Sequence, residues 1–446
     1  MTKRDTIAAI ATAPGRGAIG VVRVSGTQAR PIIRDVLRCE IPARTAVLAR
    51  FRDSGGGVID EGLALYFPAP HSYTGEDVFE MQGHGGPVVL RTLLQRCVEL
   101  GARIAEPGEF TQRAFLNGKL DLAQAEAVAD LIEASTHQAA RSAIRSLRGE
   151  FSAKIQLLSE KLITVRTLLE GSLDFPEEDV DFESTAVHER VTEVQNELDA
   201  VLNAAQRGSL LREGISVVLA GRPNVGKSSL LNQLAGEDIA IVTEIPGTTR
   251  DAVRQTLDLE GVPVRIVDTA GLRDTAEPVE RIGVERAWSA ISEADAVMVI
   301  IDATSGVTPA DEIILARLPE AVPRVRVMNK IDLLGRPPAL EQHGEESVVW
   351  LSAKTGAGID LLRQRLLELI GWRGHAEGTF LARERHLVAL RDAKAHVSAA
   401  AGPHTQQPEL IAEELRLAHA ALGTITGDFA SDDLLGQIFA RFCIGK

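Results

Sequence analysis

Nine consecutive residues constrain this chain more than any others: Gly221-Arg222-Pro223-Asn224-Val225-Gly226-Lys227-Ser228-Ser229. They fill the pattern G-x-x-x-x-G-K-S, follow the apolar run from Ile215 to Ala220, and lead into a helix-like stretch from Ser229 to Leu234. Strand, glycine loop and helix in that order make a cradle for phosphate groups. Gly221 and Gly226 let backbone N–H groups close around phosphate oxygens, and the helix N-terminus adds its positive dipole end. Lys227 supplies a cation for the β- and γ-phosphates, and the Ser228 hydroxyl suits a Mg²⁺ ligand. A glycine loop serving only as a turn is the bland alternative, and the motifs that follow decide against it.

Downstream, Thr243-Glu244-Ile245-Pro246-Gly247-Thr248-Thr249 is rich in hydroxyls and turn residues, as a switch loop would be, and Thr249 is the candidate second protein ligand to Mg²⁺. The strand pattern from Val264 to Val267 ends at Asp268-Thr269-Ala270-Gly271, a D-x-x-G element in which Asp268 would hold Mg²⁺ through water and the Gly271 amide would sense the γ-phosphate. Asn329-Lys330-Ile331-Asp332 follows another apolar run. A carboxylate at Asp332 accepts both N–H donors of the guanine edge, a pair that adenine lacks. Ser352-Ala353-Lys354 closes the series, with the Ala353 amide available to guanine O6. Four motifs in this order, each at a strand end, predict a Ras-like P-loop domain that binds GTP over residues 212–371.

How GTP would be hydrolysed is less direct. Ras-like proteins orient the attacking water with a glutamine directly after D-x-x-G, and here that position is Leu272. An apolar side chain cannot do this. Asn224, with the carbonyl- and hydroxyl-rich segment Thr243 to Thr248, suggests a monovalent cation near the β- and γ-phosphates, in the place of an arginine finger. Asp274, Glu277, Glu280 and Glu285 are the carboxylates available to the water, and composition does not choose among them.

The remainder of the 446 residues has room for two further domains. Residues 1–118 alternate strand-like and helix-like runs, implying a layered α/β domain. From 119 to 211 glycine and proline become scarce. Phe151, Ile155, Leu158, Leu162, Val165 and Leu169 recur at steps of four and three on one helical face, and Val187, Val191, Val194, Leu198 and Val201 do the same. Residues 372–446 return to helical patterning, so a helical bundle interrupted by the nucleotide domain is the economical division. The acidic run from Asp174 to Glu183 between the two stripes reads as a solvated loop rather than a metal site. His84, set among glycines, is a candidate ligand or base, with a plain loop histidine as the favoured reading, and His71 and Tyr73 lie in another Pro/Gly-punctuated loop with nothing to pair them with a metal or nucleophile. Cys39, Cys97 and Cys443 are too few and too scattered for a disulfide framework or a zinc site, which points to a reducing, cytoplasmic compartment. No apolar run of membrane-spanning length occurs, and a net charge of −14 argues against a general nucleic-acid coat.

Over essentially its full length the chain resembles the bacterial tRNA-modification GTPases of the MnmE (TrmE) family. The resemblance is carried by Gly17-Ala-Ile-Gly-Val-Val-Arg-Val-Ser-Gly26, by the stretch from Pro107 to Glu126, by the loop at Gly221 to Ser229, by Gly247-Thr-Thr-Arg-Asp251 and by the terminal Phe442-Cys443-Ile444-Gly445-Lys446. It implies an N-terminal folate-binding and dimerisation domain, a helical domain and a G domain inserted into the latter. It also implies a homodimer joined through the N-terminal domain, and K⁺-stimulated GTP hydrolysis on G-domain pairing. Asn224, with Thr243, Ile245 and Thr248, would hold K⁺, and Glu280 would position the water. Arg23, Glu80, Lys119 and Lys446 match positions that bind 5-formyltetrahydrofolate or a related tetrahydrofolate, and Cys443 matches a cysteine proposed to act in the modification chemistry, although a lone cysteine is often inert. The partner implied is an FAD-carrying MnmG/GidA-type protein, and the substrate the wobble uridine of tRNA. A different class of protein, a GTP-dependent regulatory switch or an RNA or ribosome assembly factor, would be expected to carry an RNA module such as a KH signature, and none is found.

Overall fold

The computed structural model describes residues 5–174, 184–236, 254–268, 288, 291–320, 322–344, 346–372, 378–402, 407–428 and 432–445. The chain forms two compact units. One comprises Met1–Ala129, Ser146–Gln195 and Asp392–Lys446, the other Asp130–Arg145 and Asn196–Arg391.

In the first unit, β1 (Ile7–Ile10), β2 (Ile19–Ser25), β3 (Val47–Arg52), β4 (Val58–Phe67), β5 (Val78–His84) and β6 (Arg103–Ile104) form a six-stranded sheet in the order β3-β4-β5-β2-β1-β6. All neighbours are antiparallel except β1 and β6. Alternation decides which face is which. Val22 and Val24 on β2 and Phe79 and Met81 on β5 turn inward, where helices Ala29–Leu37 and Pro87–Glu99 deliver Ile32, Val36, Leu93 and Cys97 into the same core. The register puts Ile19, Leu48 and Leu63 on the opposite face, at 68%, 69% and 40% exposure.

The predicted stripe Phe151, Ile155, Leu158, Leu162, Val165 and Leu169 is buried along helix Glu150–Asp174, which packs against helix Pro408–Thr426, where Leu415, Ala418 and Leu422 are buried. Helix Asp432–Phe439 then meets Leu122 and Ala125, and the chain end pairs Ile444 with Pro107. The C-terminal residues are thereby seated on the α/β portion of this unit.

In the second unit, β7 (Ile215–Ala220), β8 (Arg254–Leu259), β9 (Val262–Asp268), β10 (Ala296–Asp302), β11 (Arg324–Asn329), β12 (Ala339–His343) and β13 (Glu346–Trp350) form a sheet in the order β12-β13-β11-β10-β7-β9-β8. The five inner strands run parallel, with β8 and β12 as antiparallel edges. Inner strands such as β10, Ala-Val-Met-Val-Ile-Ile-Asp, are apolar almost throughout, as burial on both faces requires. Strand order reverses at β7, between β10 and β9, so the loop leaving β7 opens at a topological switch point.

The compact units divide the chain differently from the compositional boundaries at 118/119, 211/212 and 371/372. Side-chain bonds give the reason. The Thr136 hydroxyl donates to Gly261 O (2.7 Å), Ala143 enters the nucleotide-unit core, and the buried Asp130 carboxylate accepts from Arg212 Nε and Arg383 (both 2.8 Å). Residues 130–145, 196–211 and 372–391 look helical in composition and are held by the nucleotide unit.

Candidate functional site

The phosphate loop joins β7 to helix Lys227–Ala235 through backbone conformations that its sequence anticipates. Gly221 has φ +147° and Gly226 φ +100°, and a Cβ on Gly226 would lie 2.3 Å from Asn329 Nδ2. The cradle therefore admits only glycine there. Asn224 takes φ +63°, a left-handed conformation that asparagine tolerates better than most residues, and it is exposed at the loop apex. Lys227 Nζ donates to Gly221 O (2.8 Å), which arches the side chain back over the loop. Ser228 and Ser229 are exposed in the first helical turn.

Asn329, 2% exposed at the end of β11, braces the base-reading end. Its Nδ2 donates to Val225 O (2.8 Å), while its Oδ1 accepts from the Lys330 amide (2.8 Å) and the Ala353 amide (2.9 Å). One buried side chain thus ties together the phosphate loop, the N-K-x-D loop and the Ser352–Lys354 loop. The Ala353 amide, expected from sequence to face guanine O6, is engaged by Asn329, so O6 would have to share that donor. Asp332 is oriented by the Ser352 hydroxyl, which donates to its Oδ1 (2.6 Å) from a fully buried position. Lys354 is exposed beside it.

Two side chains that no motif names complete this region. Asp302, at the end of β10, receives Lys330 Nζ (2.6 Å), and Arg222 Nε donates to the buried Asp311 (2.9 Å). Burial pushes the Asp302 carboxyl up, but the Lys330 ammonium and the Thr304 hydroxyl and amide outweigh it and hold the carboxyl below its usual range. Asp302 lies between motifs, so only its place as the last residue of an apolar strand pointed to it.

Residues 243–249, Thr269, Ala270, Gly271, Leu272, Glu280 and Lys446 lie outside the described residues, as do the side chain of Asp268 and most of the acidic run at 174–183.

A second constellation occupies the first unit. Arg23 and Glu80 are register partners on β2 and β5, and Arg23 Nε donates to Glu80 Oε1 (2.8 Å). The guanidinium lies 5.6 Å from the Tyr73 ring centre and 5.7 Å from that of Phe110, and its NH1 donates to Gly445 O (3.4 Å). The Tyr73 hydroxyl is hydrogen-bonded to Thr111 Oγ1 (2.8 Å), and burial pushes its pKa up. Lys119 is exposed, its stem against Gly75. The Cys443 thiol is exposed and its carbonyl accepts from the Gly108 amide (3.4 Å), whereas burial drives the Cys97 thiol up to about 12. Tyr73 and Phe110 gave no signal of their own in the sequence, because a cation–π shell is made by tertiary contact.

The pattern description "GTP-binding protein TrmE N-terminus" matches residues 6–119 and "MnmE helical domain" residues 122–443. The tRNA modification GTPase MnmE of Aromatoleum aromaticum is 60% identical over 443 residues, covering 99% of this chain and 98% of the relative. Those of Laribacter hongkongensis and Nitrosomonas europaea are 58% and 56% identical, the first covering 99% of each chain and the second 100% of each.

The chain belongs to the tRNA modification GTPase MnmE family.

Membership makes it a GTPase of tRNA modification, which implies GTP and Mg²⁺. The architecture agrees with the expected class: a TrmE-type α/β portion, MnmE helices and a P-loop sheet. Among the described residues no helix is long and apolar enough to cross a membrane, and no group of three His, Cys, Asp or Glu side chains is placed to hold a metal.

Proposed function

We propose that this MnmE-family GTPase hydrolyses GTP in a potassium-stimulated step and acts with an FAD-carrying MnmG/GidA-type partner on tRNA. The reaction would install an aminomethyl-type group at C5 of the wobble uridine, using a tetrahydrofolate one-carbon unit. The observation that carries this reading is the full-length match to MnmE GTPases at 56–60% identity.

In this reading the phosphate loop and Lys227 bind the β- and γ-phosphates, and Ser228 with Thr249 holds Mg²⁺, which supplies charge neutralisation on the transferred phosphoryl group. Asn224, with Thr243, Ile245 and Thr248, takes K⁺. The left-handed backbone at Asn224 and its exposure at the loop apex fit that role. Glu280 orients the attacking water in place of the glutamine that Leu272 replaces. Asp332 reads the guanine edge.

Arg23, Glu80, Lys119 and Lys446 would hold the folate in the first unit. The donor set fits a flat, nitrogen-rich ring: a carboxylate for N–H groups, a guanidinium for anionic or carbonyl groups, and the exposed Tyr73 ring beside them. Cys443, exposed on the same chain end that reaches Arg23, is the candidate reactive thiol. The exposed Ile19, Leu48 and Leu63 support a homodimer through this sheet face. Domain limits of 1–118, 119–211, 212–371 and 372–446 belong to the same proposal, as does a cytoplasmic location.

Titrating 5-formyltetrahydrofolate into the full chain in a calorimeter should give heat that Arg23→Ala loses. No heat from the folded, unsubstituted chain would remove folate from the account.

A further inference from the structure

Asp302 ends β10 opposite Asn329 of the N-K-x-D loop. Its two carboxylate oxygens have separate tasks: Oδ1 accepts from the Thr304 amide (3.0 Å) and hydroxyl (2.7 Å), and Oδ2 accepts from Lys330 Nζ (2.6 Å). Lys330, lifted by a left-handed backbone at φ +70°, also donates from Nζ to Asn224 O (2.9 Å). One ammonium therefore spans from the loop that reads the base to the apex of the loop that cradles phosphate.

We propose that Asp302 is a positioning residue for nucleotide binding, whose carboxylate holds the Lys330 ammonium on the Asn224 carbonyl and so sets the separation of the two loops before nucleotide arrives. A Lys330 ammonium left with a neutral carbonyl alone would sample other rotamers, since a lysine stem carries several freely rotating bonds. Fixing it beforehand lowers the ordering cost of binding. The bond is charge-assisted, which strengthens it, but Lys330 and Asp302 side chains keep 30% and 19% exposure, which weakens it relative to a buried pair. The Arg222–Asp311 pair pins the start of the phosphate loop independently and leaves the apex to Lys330.

The inference rests on GTP binding and not on the potassium or folate readings. Its test is the dissociation rate of a fluorescent GDP from the full-length chain. Asp302→Asn keeps a side-chain carbonyl for Thr304 and removes the charge, and should speed release about tenfold, ~1.4 kcal/mol. Asp302→Ala should do the same, and Asp302→Glu, which keeps the charge, should stay closer to the parent. In a Lys330→Met background, adding Asp302→Asn should change the rate by less than about twofold, because the partner is already gone. Release unchanged in Asp302→Asn, or a full tenfold effect persisting in Lys330→Met, would overturn the proposal.

Discussion

Asp332→Asn is expected to weaken GTP binding on the order of 10²- to 10³-fold, ~3–4 kcal/mol, while creating affinity for xanthosine triphosphate. The carboxylate offers two acceptors, and the Ser352 hydroxyl occupies Oδ1 at 2.6 Å, which fixes the plane of the group. An asparagine there would set an N–H₂ against a guanine N–H and leave donors facing donors, an arrangement that costs more than a lost bond. Xanthine carries a carbonyl at that edge and restores the match. Fluorescence titration with both nucleotides reads the outcome, and undiminished GTP affinity would mean that Asp332 does not meet the base.

GTP turnover should be at least about tenfold faster in KCl than in NaCl at matched ionic strength. Its ceiling is what an arginine finger supplies, roughly 10³–10⁵ in rate or about 4–7 kcal/mol. Leu272 cannot orient water, so positive charge and water placement have to come from elsewhere, and Asn224 stands at the loop apex with its carbonyl already fixed by Lys330. Glu280→Ala should lower kcat while sparing nucleotide affinity. Equal rates in the two salts would remove the cation, and affinity falling in parallel with kcat would make Glu280 structural.

What could be read from the sequence divides along physical lines. The phosphate loop was legible because its chemistry is local: glycines at φ +147° and +100°, a lysine and a serine must stand at set spacings to wrap a phosphate. The helical stripe from Phe151 to Leu169 was legible for a similar reason, since period alone puts those side chains in a core. Strands β1, β6 and β12 were not. β6 has two residues, and β12, Ala-Leu-Glu-Gln-His, is a polar edge strand in which tertiary pairing overrides a weak pattern.

The site shows the same division. Asp332 and Lys227 announce themselves by motif, whereas Asn329's role as a brace among three loops depends on bonds to Val225 and Ala353, residues 104 and 24 positions away. Asp302 and the Tyr73–Phe110 surround of Arg23 belong to the same class, visible only once strands bring distant residues together. Composition does not tell which core residues 130–145 join, because a helical, alanine-rich segment reads alike whichever core receives it; the Thr136–Gly261 and Asp130–Arg212 bonds are tertiary.

Whether this GTPase serves modification of the tRNA wobble uridine is decided by nucleoside mass analysis of tRNA from cells lacking the chain. The C5 aminomethyl-type group is expected to be lost from wobble uridines, to return with the intact gene, and not to return with Lys227→Ala. Wobble uridines fully modified in the absence of the chain would contradict this role and leave a GTP-dependent switch with another task.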